Sequence, residues 1–178
     1  MDPSKKTNSE ALLKKLENLK ISFNLVNHEP VTSCKEHSDA LNNTNLAFCK
    51  NLLILNKKSK KLSLLVLPAA SNFSFKQIGS VLGVNGNHLR LANDALLEET
   101  LKVARGALNP FSVMFDSDDR VELIIDKPIA KEKRLLAIHP MHNDASILVK
   151  FGDLKTFLED LKFFCKRKQT VHRNLFWR

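Results

Sequence analysis

Apolar positions recur at Leu12, Leu13, Leu16 and Leu19 with the three-to-four-residue spacing of one helical face, so the chain opens with a helix capped at Ser9. Residues 1–8 ahead of it are polar and are expected to form a flexible N-terminus. Phe23 to Asn27 reads as a short strand. After Pro30, Ser33-x-x-Glu36 is a capping box for a polar helix running toward Asn43, and that polarity suits a surface or the rim of a pocket. Leu46 to Leu55 and Lys61 to Leu67 are apolar runs of strand character. Asn56, Lys57, Lys58, Ser59 and Lys60 between them predict a hairpin with a basic tip, central to a sheet.

Ser74-x-x-Gln77 caps a helix that Gly83 ends, and Asn93 caps another through Leu96, Leu97 and Lys102. Beyond the turn from Gly106 to Pro110, Phe111 to Phe115 and Arg120 to Asp126 read as strands of a second hairpin, joined by the acidic turn Asp116 to Asp119. Leu135 to Ile138 and Ser146 to Phe151 predict two further strands, and Asp153 caps a last helix with Leu154, Phe157, Leu158 and Leu161 inward. Hairpins interleaved with single helices favour an α+β fold with a mixed sheet over a doubly wound one. One domain is expected over 9–161, followed by a basic extension over 162–178.

The 178 residues are 43% hydrophobic, enough for one sizeable core. No stretch has the roughly 18 unbroken apolar residues of a membrane helix, and no apolar run of signal-peptide length lies in the first thirty residues, so a cytoplasmic protein without a membrane partner is expected. Cys34, Cys49 and Cys165 are scattered and suit free thiols in a reducing compartment. The formal charge is +9, and six of the positives (Lys162, Lys166, Arg167, Lys168, Arg173 and Arg178) lie in the last seventeen residues with no acid among them. That excess favours a polyanionic partner. Lys57, Lys58, Lys60 and Lys61 at the hairpin tip, with Lys166, Arg167, Lys168 and Arg173 in the tail, are the candidate contacts to an RNA backbone; a solvated charge run is the alternative.

Lys50 interrupts a strand that is apolar on both faces, so its ammonium either snorkels to water or enters a polar pocket that receives an anion or a carbonyl. Gly106-Ala107-Leu108-Asn109-Pro110 has the make-up of a loop that presents backbone N–H groups to a carbonyl oxygen, and equally that of an ordinary turn. His139-Pro140-Met141-His142-Asn143 gathers two imidazoles and an amide after a short strand, groups suited to ribose hydroxyls or to a water. The six histidines have no metal-binding spacing, so no metal is expected, and no Gly-x-Ser-x-Gly elbow or Walker sequence is present. Cys49, opposite Lys50 on the strand, is expected in the core rather than as a nucleophile.

Taken in order, Cys49-Lys50-Asn51-Leu52 with Lys57-Lys58, then Leu89-Arg90-Leu91-Ala92, then Gly106 to Pro110, then His139 to Ser146 resemble the YbaK family of editing domains. These domains occur inserted in or associated with prolyl-tRNA synthetases and as free-standing Ala-tRNA(Pro) deacylases. The resemblance runs from about Leu12 to Leu161. It implies an α+β fold with a curved mixed sheet and hydrolysis of the ester of mischarged tRNA(Pro), most closely Ala-tRNA(Pro). A Cys-tRNA(Pro) deacylase, or a non-catalytic tRNA-binding or synthetase-associated module, are the alternatives. It further implies no cofactor, and prolyl-tRNA synthetase as a candidate partner. By the same resemblance Lys50, Gly106 and His139 are the catalytic positions, and Thr32, Asn51, Ala107, Leu108, Asn109, Pro110, Asn143 and Ser146 bind the substrate.

Overall fold

The computed structural model describes residues 3–161. Its elements are α1 (Pro3–Asn18), β1 (Asn24–Asn27), α2 (Cys34–Leu41), β2 (Leu46–Asn56), β3 (Leu62–Pro68), α3 (Phe75–Leu82), β4 (Leu89–Leu91), α4 (Asp94–Leu101), β5 (Val121–Ile125), α5 (Lys127–Ala130), β6 (Leu135–Ile138), β7 (Ala145–Val149) and α6 (Phe151–Asp160). Seven strands form one mixed sheet in the order β1-β7-β6-β2-β3-β5, with β4 added to β2. The fold is therefore the mixed α+β domain expected.

The caps read from the sequence do their work. Ser33 accepts from Glu36 N, Ser74 from Gln77 N and Asn93 from Leu96 N, and Gly83 closes α3 in the left-handed region at φ 66°. Lys57 to Lys61 turn between β2 and β3, where Asn56 Oδ1 accepts from Lys58 N and Ser59 N.

Three expectations are corrected. The first helix begins at Pro3, not at a Ser9 cap, so from Pro3 the expected flexible segment gives way to helix; a proline is well placed in a first turn, where its missing N–H costs nothing. Ser9 sits inside it, buried, against His142 Nε2 at 3.2 Å. Residues Pro110–Phe115 form a 3-10 helix rather than a strand, because Asn109 caps it from Ser112 N and Pro110 opens it. No second hairpin follows: β5 pairs parallel with β3. Finally, α6 starts after Lys150, and Asp153 lies in its first turn rather than at its cap.

The main core gathers Leu12 and Leu16 of α1 with Leu64, Phe111, Leu136, Val149 and Phe157, where Phe111 and Phe157 meet edge to face at 4.9 Å. A smaller cluster joins Ile54, Leu65 and Leu67 to Ile78 of α3.

What positions the site is a split in the sheet. On one side β2 is paired with β3 from Cys49 to Leu55. On the other, β6 covers Leu46 to Phe48 and β4 covers Ile54 to Asn56, so the intervening edge, with Lys50 and Asn51, has no strand beside it. A loop fills the gap instead: Asn51 Nδ2 donates to Leu108 O at 2.9 Å.

Candidate active site

A cavity of about 210 Å³ opens at this split. Lys50 and Asn51 line it from β2, Gly106 and Leu108 from the loop, His139 from the end of β6, and Thr32 and His37 from α2 and its approach. Four segments far apart in sequence thus meet where the sheet ladder is interrupted.

Lys50 is half-buried and takes the pocket alternative. Its Nζ donates to Ser71 O at 2.6 Å and lies 6.0 Å from the Phe73 ring centroid. Cys49 is in contact with the core, as expected, and burial pushes its thiol up to about 12, so it stays protonated. It also lines the cavity wall.

Gly106 is in the left-handed region at φ +87° and needs to be glycine for its backbone, since a Cβ there would meet nothing within 4 Å. Ala107 N is already used, donating to Ala104 O at 3.1 Å, whereas the N–H groups of Gly106 and Leu108, the loop residues that line the cavity, have no backbone partner among the described residues. Ala107, Asn109 and Pro110 stand behind the cavity wall. Asn109, fully buried, donates from Nδ2 to Ala107 O and to Met141 Sδ, which couples this loop to the turn after β6. Met141 is itself at φ +70°, a conformation a non-glycine residue keeps only when its surroundings impose it.

His139 lines the cavity, donating from Nδ1 to Ala145 O at 2.9 Å and leaving the Nε2 lone pair uncommitted. Burial is the main cause that lowers its pKa, so the ring is neutral. His142 points the other way, to Ser9 and Asp144. Asn143 and Ser146 are not in the wall. Asn143 fastens the Val31 segment, giving Nδ2 to Val31 O at 2.6 Å and accepting from Val31 N at 3.0 Å. Ser146, fully buried, sits behind the imidazoles. Thr32 is in the wall, its N and Oγ1 both donating to Glu36 Oε2.

Sequence reasoning missed His37. It is 6% exposed, stacks on His139 with ring centroids 4.2 Å apart, and meets Phe48 edge-on at 5.0 Å. Its Nε2 is 2.6 Å from Ser146 Oγ, which in turn is 2.9 Å from His28 Nε2, while His28 Nδ1 is 2.8 Å from Glu29 O. A carbonyl only accepts, so with neutral rings the chain runs from His37 Nε2–H to Ser146 Oγ, and from Ser146 Oγ–H to His28 Nε2. Burial, with His139 and His28 nearby, pushes the His37 pKa down to about 3. The only sequence sign of this residue was one histidine on an otherwise polar helix.

His28, His37 and His139 each bring one ring nitrogen within 4.8 Å of the others, the one such group of three among the described residues. The sequence spacing that argued against a metal is blind to this meeting of three segments. A tetrahedral zinc site needs ligand nitrogens about 3.3 Å apart, and the Nε2 atoms of His28 and His37 are already bonded to Ser146, so the hydrogen bonds account for the cluster as it stands.

With this geometry in view, residues 28–157 match the family described as the aminoacyl-tRNA editing domain. The chain belongs to that family. It is 28% identical over 151 residues to the prolyl-tRNA editing protein ProX of Acetoanaerobium sticklandii, covering 84% of this chain and 90% of the relative. It is 29% identical over 153 residues to the prolyl-tRNA synthetase associated domain-containing protein 1 of Bos taurus, covering 84% and 88%. Among solved structures, the hypothetical protein APE2540 superposes with a TM-score of 0.67 at 14% identity, covering 83% of this chain and 93% of that one. A candidate trans-editing enzyme for prolyl tRNA synthetase superposes with a TM-score of 0.65 at 12% identity, covering 88% and 92%. Both likenesses are of fold.

The basic hairpin is on the same strand as Lys50, six residues along at Asn56, and Lys57, Lys58, Lys60 and Lys61 are exposed there. Lys166, Arg167, Lys168 and Arg173 lie outside the described residues. Among the described residues no helix is long and apolar enough to cross a membrane.

Proposed function

We propose that this editing domain acts in trans, in the cytoplasm, to hydrolyse the ester of a mischarged tRNA(Pro), with alanyl the leading aminoacyl group. The observation that carries it is the convergence of Lys50, the Gly106 loop and His139 on a small cavity at the open edge of β2. The names of the bacterial and mammalian relatives, a prolyl-tRNA editing protein and a prolyl-tRNA synthetase associated domain-containing protein, support the choice of a prolyl-tRNA and of prolyl-tRNA synthetase as a partner.

An aminoacyl ester is already activated, so hydrolysis needs a positioned water and a place for developing charge more than a protein nucleophile. Cys49, held protonated, is no nucleophile. Lys50 anchors the carbonyl or a neighbouring phosphate, and the N–H groups of Gly106 and Leu108 face the oxyanion. His139, its tautomer fixed by Ala145 O, offers the Nε2 lone pair to the attacking water. Water adds to the acyl carbon, the ester C–O bond breaks, and the tRNA leaves with its ribose hydroxyl restored. A cavity of about 210 Å³, with His37 and Leu108 in its lining, suits a small side chain such as that of alanine.

The test is hydrolysis of Ala-, Cys-, Ser- and Pro-tRNA(Pro) by wild type and Lys50→Ala, with spontaneous loss subtracted. Alanyl-tRNA(Pro) is expected to be cleaved fastest, and Lys50→Ala to lose about 100-fold in kcat/KM. Fastest cleavage of the cysteinyl ester would move the substrate. Binding of tRNA without turnover of any ester would identify a non-catalytic module.

A further inference from the structure

Cys34 and Cys49 are 15 residues apart in the chain, and the fold brings both into the lining of the Lys50 cavity. Cys34 is the first residue of α2, directly after Thr32 and Ser33, and Cys49 precedes Lys50 on β2. Cys34 Sγ donates to Cys49 O at 3.8 Å, so helix start and strand touch through these two residues. Both thiols are free, and neither residue is fully buried. Burial first, and then Cys34 beside it, pushes the Cys49 thiol up to about 12. Nothing in the hydrolysis proposed above uses either sulfur.

We propose that Cys34 and Cys49 are an oxidation site: a hydroperoxide joins them as a disulfide that shuts the Lys50 cavity. The effect on turnover rests on the deacylase reading above, whereas the pairing itself does not. Cys49, kept protonated, reacts poorly with peroxide, so Cys34 reacts first. With hydrogen peroxide, the Cys34 sulfur attacks the O–O bond, is oxidised to a sulfenic acid and releases water. The Cys49 sulfur then attacks the Cys34 sulfur, the S–O bond breaks, and the hydroxide departs as water with the Cys49 proton. Two thiols have lost two electrons, and one peroxide has become two waters. Contact between the residues makes the second step intramolecular, which offsets the weak nucleophilicity of a protonated thiol. Forming the bond draws the start of α2, with Thr32 before it and His37 one turn after it, against the strand residue next to Lys50. A cavity of about 210 Å³ that has Thr32, His37 and Lys50 in its lining then narrows at its walls. A disulfide this close to solvent is of the labile kind that a thiol reductant reverses.

The experiment uses the full chain carrying Cys165→Ser, so that Cys34 and Cys49 are its remaining thiols. The protein is treated with hydrogen peroxide, the excess is removed, and half of the sample is then reduced with dithiothreitol. Trypsin cuts after Lys20, Lys35 and Lys50, so peptides 21–35 and 36–50 carry one cysteine each and a disulfide joins them. The joined peptide is expected in the oxidised half, with a rate on Ala-tRNA(Pro) about tenfold or more below that of the reduced half. Cys34→Ser and Cys49→Ser, added singly and each compared with its own reduced half so that any cost to folding cancels, should lose less than about twofold. No joined peptide, or a joined peptide with an unchanged rate, would overturn the proposal. So would a loss in Cys49→Ser equal to that of the parent, since oxidised Cys34 alone would then be the inhibitor. If the reduced half cleaves none of the four esters, the deacylase reading fails on its own account. The joined peptide then decides the pairing: present, it stands, and absent, it falls.

Discussion

The cavity under the β2–β3 hairpin encloses about 650 Å³, the one beside Lys50 about 210 Å³. The larger is walled by Ile54, Leu82, Val84 and Leu89 against the smaller core cluster, with Lys58 and Lys61 at its rim. In the smaller, polar groups converge that other parts of the chain hold in place: Lys50 by Ser71, His139 by Ala145 and His37 by Ser146. Size does not mark the reacting place here. What marks it is a break in the sheet's ladder, where backbone and side chains are fixed yet not consumed by strand pairing.

The contrast breaks most readily at Gly106 and Leu89. Gly106→Ala places a Cβ in open space, so its cost is the backbone's alone, about 1–2 kcal/mol for a non-glycine residue in the left-handed region. The loop would relax away from φ +87°, and kcat/KM for ester cleavage is expected to fall more than tenfold. Leu89→Ala in the larger cavity should cost more stability, about 2–5 kcal/mol, with kcat unchanged in the protein that remains folded. Denaturant titration and initial rates on both variants check this. A loss of kcat in Leu89→Ala matching that of Gly106→Ala would erase the distinction between the cavities.

Acid should act on the smaller cavity next. His37 is held near a pKa of 3 and His139 is also lowered, while an unfolded histidine titrates near 6.5. Below about pH 6.5 the unfolded chain binds protons that the native one refuses, so stability present at neutral pH is lost as pH falls from 6.5 toward 3. The slope is at most about 1.4 kcal/mol per pH unit for each group. His37→Phe keeps a ring against His139 but removes the titration. Its urea midpoint should therefore fall less between pH 7 and pH 5 than that of wild type; parallel curves would show that the imidazole stack does not carry the acid sensitivity.

Much of this was legible in the sequence, and where it was not the reason is physical. Caps are local, so Ser33, Ser74, Asn93 and Gly83 could be read within four residues of their partners. Lys50 stood out because a charge in an apolar strand is costly. The segment from Phe111 to Phe115 misled because its apolar residues, Phe111 and Val113 on either side of Ser112, alternate in the sequence as in a strand, whereas Asn109 and Pro110 fix a 3-10 start. His37 was hidden for the opposite reason. Its neighbours in the site, Ser146 and His139, lie about a hundred residues away, and neither helix period nor cap encodes that contact. Asn143 and Ser146 were expected at the cavity and instead hold its walls from behind, a difference of one layer that sequence order cannot resolve.

The smallest effect expected is at the hairpin tip, and it tests what the larger cavity's rim is for. Asn56 Oδ1 and the positive φ of Lys60 fix the turn, so its lysines are displayed from a defined scaffold. If they contact phosphates, Lys58→Gln and Lys61→Gln should each weaken tRNA binding a few-fold at low salt and reduce the slope of log K against log salt by about one. Turnover at saturating tRNA should not change, since neither side chain lines the Lys50 cavity. An unchanged salt slope would make the tip a solvated charge run. A fall in kcat would instead tie the rim to the reaction, so that the two cavities would have to be treated as one extended site along β2.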